Sequence, residues 1–262
     1  MRQFTDQIGK KIQVIEKPKR IISLVPSQTE LLFDLGLDNE VVGITNFCVH
    51  PKEWRITKTK VGGTKTPNLD LIQELQPDLI IANKEENDKE SIEYLSSKFP
   101  VWTSDIATFH HAIDMVEKIG EITNTPHKAQ PLKHHILEQF LSISKAKSAP
   151  KVLYLIWQKP FMSVGKDTFI SEMLSVSGFQ NCIQDDYRYP ELTSEAIQKL
   201  NPDFIFLSSE PYPFKEKNRA EIQKQFPFSK VVLVDGEMFS WYGSRLKLFP
   251  KYLSTLRSNI DL

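Results

Sequence analysis

The sequence predicts an α/β fold of two similar Rossmann-like lobes with mainly parallel sheets, joined by one long rigid helix. Three observations carry that expectation. Short apolar runs alternate with amphipathic stretches in units of roughly 20–30 residues, the pattern of strands and the helices that cover a parallel sheet. Ile72–Ile81 (IQELQPDLII) reappears as Ile197–Phe206 (IQKLNPDFIF), with helix, Pro break and strand aligned at an offset of 125 residues. That period is too long for a solenoid. Between the halves, Leu132, Ile136, Phe140 and Ile143 keep helical spacing. The expected organisation is an N-terminal lobe at 1–124, a connecting helix at 125–148 and a C-terminal lobe at 149–262.

In chain order, Arg20–Val25 is the first strong strand, bounded by Pro18 and Pro26. Ser27-Gln28-Thr29-Glu30 fits a capping box, and the helix it opens runs through Leu31, Leu32 and Leu35 to Gly36. Val41–Ile44 is the next strand. Asn68 caps a helix at Leu69–Leu75, which ends at Gln76-Pro77 and passes into strand Asp78–Ala82. Glu90–Ser97 is helical, Val101–Trp102 extended, and Phe109–Ile122 an amphipathic helix. Pro131 suits the first position of the connecting helix, and Pro131–Lys147 would span about 25 Å. Val152–Trp157 opens the second half as a buried strand, and Leu174–Phe179 echoes the glycine-closed helix end at Leu32–Leu37.

The 262 residues carry 33 basic and 33 acidic side chains, 15 against 19 in the first 125 residues and 18 against 14 in the rest. That balance argues against a nucleic-acid binder, which needs a basic excess. The longest apolar run, Val152–Trp157, is far short of the roughly 20 residues a membrane span requires. Cys48 and Cys182 lie 134 residues apart and are expected to be unpaired thiols. Met1–Asp6 lacks the apolar stretch of an export signal, so either the signal has been removed or the protein stays inside the cell.

No catalytic signature is present: there is no G-x-S-x-G, no phosphate-binding loop and no G-x-G-x-x-G after a strand. His110-His111 and His134-His135 are adjacent on helices and point apart, unlike an i, i+4 chelate. Cys48 and His50 alternate on one loop without further ligands nearby in sequence. Neither a metal nor a cofactor is implied. Asp70 and Glu195 each lie two residues after a cap, Asn68 and Thr193, again 125 apart. Acids in a first helical turn offset the positive helix end by about 0.3–1 kcal/mol; matched exposed acids also mark a face that meets a two-fold partner. Aromatics gather in loops that follow strands: Phe47, Phe161, Tyr187, Tyr189 and Trp241-Tyr242. Ligands of α/β sheets bind beyond the carboxyl ends of strands, in pockets that are mostly apolar with a few polar groups.

The order Pro-Ser-x-Thr-Glu (Pro26–Glu30), Val-Val-Gly-Ile-Thr (Val41–Thr45), Val-Gly-Gly-Thr (Val61–Thr64) and Asn-Leu-Asp-x-Ile…Pro-Asp-Leu-Ile-Ile-Ala (Asn68–Ala82) resembles the helical-backbone substrate-binding proteins. These deliver cobalamin, iron–siderophores or haem to ABC importers. The opening Phe4-Thr5-Asp6…Gly9-Lys10 is similar to the start of their mature domain, and the resemblance runs through essentially the whole chain. It implies two α/β lobes on one long helix, a ligand cleft between them with little closure, and a monomer that binds a small molecule and docks on a membrane permease. Similarity to the cobalamin branch implies aromatic walls at Phe47, Phe161 and Tyr189, with Trp241 and Tyr242 bordering the ligand. Pro26, Ser27, Cys48 and Thr64 are further candidate ligand contacts, Arg245 or His50 could contact ligand carbonyls, amides or phosphate, and the resemblance implies docking acids at Asp70 and Glu195. Thr64 stands where that branch has a large aromatic. The resemblance leaves three readings open: a corrinoid binder, an iron–siderophore or haem binder, and an intracellular corrinoid carrier on the same scaffold. All three are binding proteins rather than enzymes, and the family setting is periplasmic.

Overall fold

Fully buried apolar strands set the centre of each sheet, and the helices that flank them bury one face only. The computed structural model describes residues 1–144 and 149–262. They divide into two units: Met1–Ile106 with His110–Glu138 and Tyr242–Lys247, and Ala107–Phe109 with Gln139–Trp241 and Leu248–Leu262. Among the described residues no helix is long and apolar enough to cross a membrane.

The first unit opens with an antiparallel hairpin, β1 (Arg2–Thr5) and β2 (Lys11–Val14), turned through Gly9 at φ +83°. The chain continues through β3 (Ile21–Ser23), α1 (Pro26–Asp34), β4 (Val41–Ile44), α2 (Lys52–Thr57), β5 (Thr59–Lys60), α3 (Leu69–Glu74), β6 (Leu79–Asn83), α4 (Lys89–Ser96), β7 (Val101–Ser104) and α5 (Phe109–Ile122) to α6 (Pro126–Leu141). The five-stranded sheet runs β5-β4-β3-β6-β7, all parallel. Strand order reverses between β3 and β6, so the loops that follow these two strands flank the crevice where such sheets take ligands. Along α5, Ala112, Ile113, Met115, Val116, Ile119 and Ile122 are buried at helical spacing, worth about 1.5–3 kcal/mol for each large side chain. Asn68 caps α3, accepting from the Leu71 amide as its sequence position predicts.

The second unit contains β8 (Lys151–Trp157), β9 (Phe161–Ser163), α7 (Phe169–Val176), β10 (Gln180–Asn181), β11 (Glu191–Leu192), α8 (Ser194–Leu200), β12 (Phe204–Ser208), α9 (Glu216–Gln225), β13 (Lys230–Val234), α10 (Gly236–Ser240) and α11 (Phe249–Asn259). A 3-10 turn at Ser244–Leu248 precedes α11. The sheet runs β11-β9-β8-β12-β13, with β10 also paired to β8. β8 pairs in parallel with β10 and β12, and β12 with β13. β9 and β11 are antiparallel, which the α/β reading did not distinguish. Leu153, Leu155, Ile197, Ile205 and Leu207 centre the core. Thr193 caps α8, as Asn68 caps α3.

Several elements differ from their sequence expectation. α1 begins at Pro26, with Val25 as its cap and no capping side chain. Ser27 therefore lies inside the first turn and Glu30 is engaged elsewhere, so no capping box forms. The connecting helix begins at Pro126, which takes the favoured first position; Pro131 lies within it. The Thr125 carbonyl accepts the first bonds, from Lys128 and Ala129. The helix ends at Leu141 rather than Lys147, about 24 Å after it starts; 145–148, the end of that expected segment, lie outside the described residues. The boundary between units falls inside α6, and 242–247 group with the first unit rather than with 149–262. Two ion pairs hold that segment to α1: Arg245–Glu30 and Lys247–Asp34.

Candidate functional site

In the first unit, the loops at the carboxyl ends of β3, β4 and β6 are tied together. Phe47, in the loop after β4, is 60 % exposed, and its ring edge lies against Gly63, 3.5 Å from where a Cβ would stand. Gly62 adopts φ +95°, and its carbonyl accepts from the Asn46 amide. A side chain at 62 would strike the backbone of Thr66 and Asn68, so this turn needs glycine. Buried Asn87 crosses the switch point: its amide donates to the Leu24 carbonyl at 3.0 Å and to the Thr64 carbonyl at 3.0 Å, while its oxygen accepts from the Asn83 amide at 2.8 Å. Asn83 in turn donates to Ser104 and accepts from the amides of Glu85 and Glu86. Thr64 is thus held through its carbonyl, and Pro26 and Ser27 lie one turn of chain beyond Leu24.

In the second unit the corresponding position lies between β8 and β12. Trp157, the last residue of β8, is 39 % exposed. Its ring meets Tyr212 edge-on at 5.3 Å, and Tyr212 packs on Phe214 at 4.7 Å. The Tyr212 hydroxyl donates to Gln158, and Asn218 donates to both. Half-buried Tyr189 lies under the Arg188 guanidinium, and exposed Tyr187 under the Lys166 ammonium at 4.2 Å. Among the described residues no group of three or more His, Cys, Asp and Glu is placed to hold a metal ion.

A model of the "Periplasmic binding protein" family matches residues 21–229. The chain belongs to the periplasmic binding protein family. It is 32 % identical over 211 residues, 76 % of its length and 67 % of the relative's, to a Bacillus subtilis protein named as an uncharacterized ABC transporter substrate-binding lipoprotein, YvrC. It is 26 % identical to a vitamin B12-binding protein of Vibrio parahaemolyticus, over 74 % of this chain and 72 % of that one. A solved Staphylococcus epidermidis structure, described as a possible iron-binding (periplasmic solute-binding) protein, superposes with a TM-score of 0.76 at 26 % identity, covering 93 % of this chain and 99 % of that one. The protein is a substrate-binding component of an ABC transporter, not an enzyme.

Within this family setting, several residues expected at the ligand are committed elsewhere. Cys48 is fully buried, with its sulfur 3.0 Å from the Thr29 hydroxyl and 3.2 Å from that of Thr45. Burial pushes the thiol's pKa up. Both cysteines are free, as expected. Ser27 is buried in the first turn of α1. Phe161 packs against the core of the second unit, 6.1 Å from Phe226. Trp241 is only 7 % exposed, and its indole N–H donates to Glu210 at 2.9 Å. Tyr242 is equally buried, in the first unit. Arg245 donates two bonds to Glu30, at 2.8 and 2.9 Å, which uses its fork on the protein itself. His50 is half-buried on the loop after β4.

Asp70 and Glu195 are both exposed in the first turn after a formed cap, as the repeat predicts. Its own backbone amide and the Thr193 hydroxyl lower the Glu195 pKa from the usual glutamate value. Sequence reasoning missed Asn87, Trp157 and Tyr212. In sequence Trp157 is simply the end of a buried strand; its signal is position, since a large aromatic closing a central strand stands at the ligand end of the sheet.

Proposed function

We propose that this protein captures a corrinoid outside the cytoplasmic membrane and delivers it to an ABC permease. The observation that carries the reading is the pair of aromatic positions, Phe47 in one unit and Trp157 with Tyr212 in the other. Each is exposed at the carboxyl end of its sheet in a chain related to vitamin B12-binding proteins. Exposed rings gain dispersion and area against a flat, bulky macrocycle. Ring positions fixed beforehand by packing and hydrogen bonds reduce the ordering cost of binding. Thr64 in place of a large aromatic suits a corrinoid with bulky axial or side-chain groups. No proton transfer or covalent step is needed. Titration with cyanocobalamin and with cobinamide, followed by absorbance and Trp emission, tests the reading; saturable binding near micromolar protein is expected.

Asp70 and Glu195 are proposed to dock on cationic side chains of the permease. The double variant Asp70→Ala, Glu195→Ala is expected to keep its corrinoid affinity while its binding to the permease in detergent falls at least tenfold. A double variant that loses the corrinoid instead contradicts the assignment.

A further inference from the structure

Gln158 follows Trp157 at the end of β8 and is buried, with 6 % exposure. Its side-chain oxygen gathers two donors, the Asn218 amide at 2.5 Å and the Tyr212 hydroxyl at 3.3 Å. Its side-chain nitrogen donates to exposed Glu221 at 3.3 Å. The outer partners set the orientation of both amides. The Asn218 oxygen accepts from the Lys215 backbone amide at 2.9 Å, at the start of α9. The Asn218 nitrogen therefore faces Gln158 and, at 3.3 Å, the Tyr212 hydroxyl. An ionised Glu221 only accepts, so the Gln158 nitrogen faces it and the oxygen faces back. A buried amide costs free energy unless it is paired; here both ends are paired, and the pairing fixes its geometry.

The backbone presets the ring that this network holds. Tyr212 stands between Pro211 and Pro213. Each proline fixes its own φ, and Pro213 biases Tyr212 toward an extended conformation. The Tyr212 amide donates to the Ile156 carbonyl at 3.4 Å, and its carbonyl accepts from the Phe214 amide at 2.8 Å. What remains free is rotation of the ring about its two side-chain bonds, and the hydroxyl bonds to Gln158 and Asn218 restrict it. The Tyr212 ring in turn meets Trp157 edge-on at 5.3 Å. The Trp157 indole N–H is spent on the Lys159 carbonyl at 3.2 Å, so Trp157 offers a ligand its ring face.

We propose that Gln158 is the positioning residue of this aromatic wall: it holds the Tyr212 ring by its hydroxyl, and through that ring it holds Trp157, before any ligand arrives. The inference rests on the corrinoid reading for its ligand, but its first readout needs none. Acrylamide quenching of Trp157 in the full chain, taken as the difference between each protein and its Trp157→Phe counterpart, reports how well the ring is covered. Gln158→Leu and Tyr212→Phe are each expected to raise that quenching, with far-UV circular dichroism unchanged, and the double variant is expected to raise it no further. Cyanocobalamin affinity is expected to fall about three- to tenfold in each single variant, the worth of one hydrogen bond, through faster dissociation. The double variant should match either single one, because both changes cut the same tether. Quenching or affinity that is unchanged in the single variants, or losses that multiply in the double variant, overturn the proposal. Tyr212→Phe keeps the ring and its packing, so it carries both readouts alone if Gln158→Leu does not fold. If cyanocobalamin does not bind the parent protein, the corrinoid reading fails, while the quenching series still decides whether Gln158 holds the rings.

Discussion

Glu30→Ala is expected to destabilise the first unit by about 3 kcal/mol, because it breaks a bidentate, largely buried ion pair with Arg245. The pair is bidentate, with side chains only 8 % and 16 % exposed, so water does little to replace the lost partner. Urea unfolding should show an earlier midpoint. The paired replacement Glu30→Leu with Arg245→Met should recover part of the loss, since both charges of the buried pair are removed together. The neighbouring Lys247–Asp34 pair is more exposed and its removal should cost about 1 kcal/mol or less. A cost of under about 1 kcal/mol for Glu30→Ala would mean that Arg245 is not committed to α1, and would return it to the set of ligand contacts.

Asn87→Ala is expected to have the second large effect, and a dual one. It removes the donor to the carbonyls of Leu24 and Thr64 and the acceptor for the Asn83 amide. Deleting a side chain that serves buried backbone groups costs about 1–3 kcal/mol per group left unsatisfied, so a loss of about 3 kcal/mol is expected. It also unties the Gly62–Thr64 turn, and with it the ground on which Phe47 rests. Hydrogen exchange should accelerate at Gly63–Thr66 and in the loop after β3, and cobinamide affinity should fall at least tenfold. Loss of stability with unchanged affinity would show that the Asn87 bridge serves the fold alone.

The fold was legible wherever local chemistry and burial agree. α5 forms over the residues its amphipathic stripe predicts, and the caps at Asn68 and Thr193 form as their spacing implies. The hairpin at β1 and β2 was not legible, because its strands are short and mostly exposed and so carry little apolar alternation. The start of α1 was misread because Ser27 and Glu30 fit a capping box locally, whereas Pro26 fits the first helical position and Glu30 is claimed by Arg245, 215 residues away. Long-range partners also decide the site. Nothing near Trp241 in sequence announces Glu210, and nothing near Cys48 announces Thr29. Residues chosen by type and loop position therefore split into exposed rings such as Phe47 and pinned ones such as Trp241. Asn87 stayed invisible because an asparagine in a polar loop looks like turn chemistry until the strand order places it across the crevice.

The cargo proposed for this protein is a corrinoid. Equilibrium titration of the full chain with cyanocobalamin and cobinamide, with haemin and a ferric siderophore as comparison ligands, tests it most directly. Saturable, one-to-one binding of a corrinoid is expected, weakened when Trp157 or Phe47 is replaced by Ala, with clearly weaker binding of the iron ligands. Saturable binding of haemin or the ferric siderophore with no corrinoid binding would contradict it.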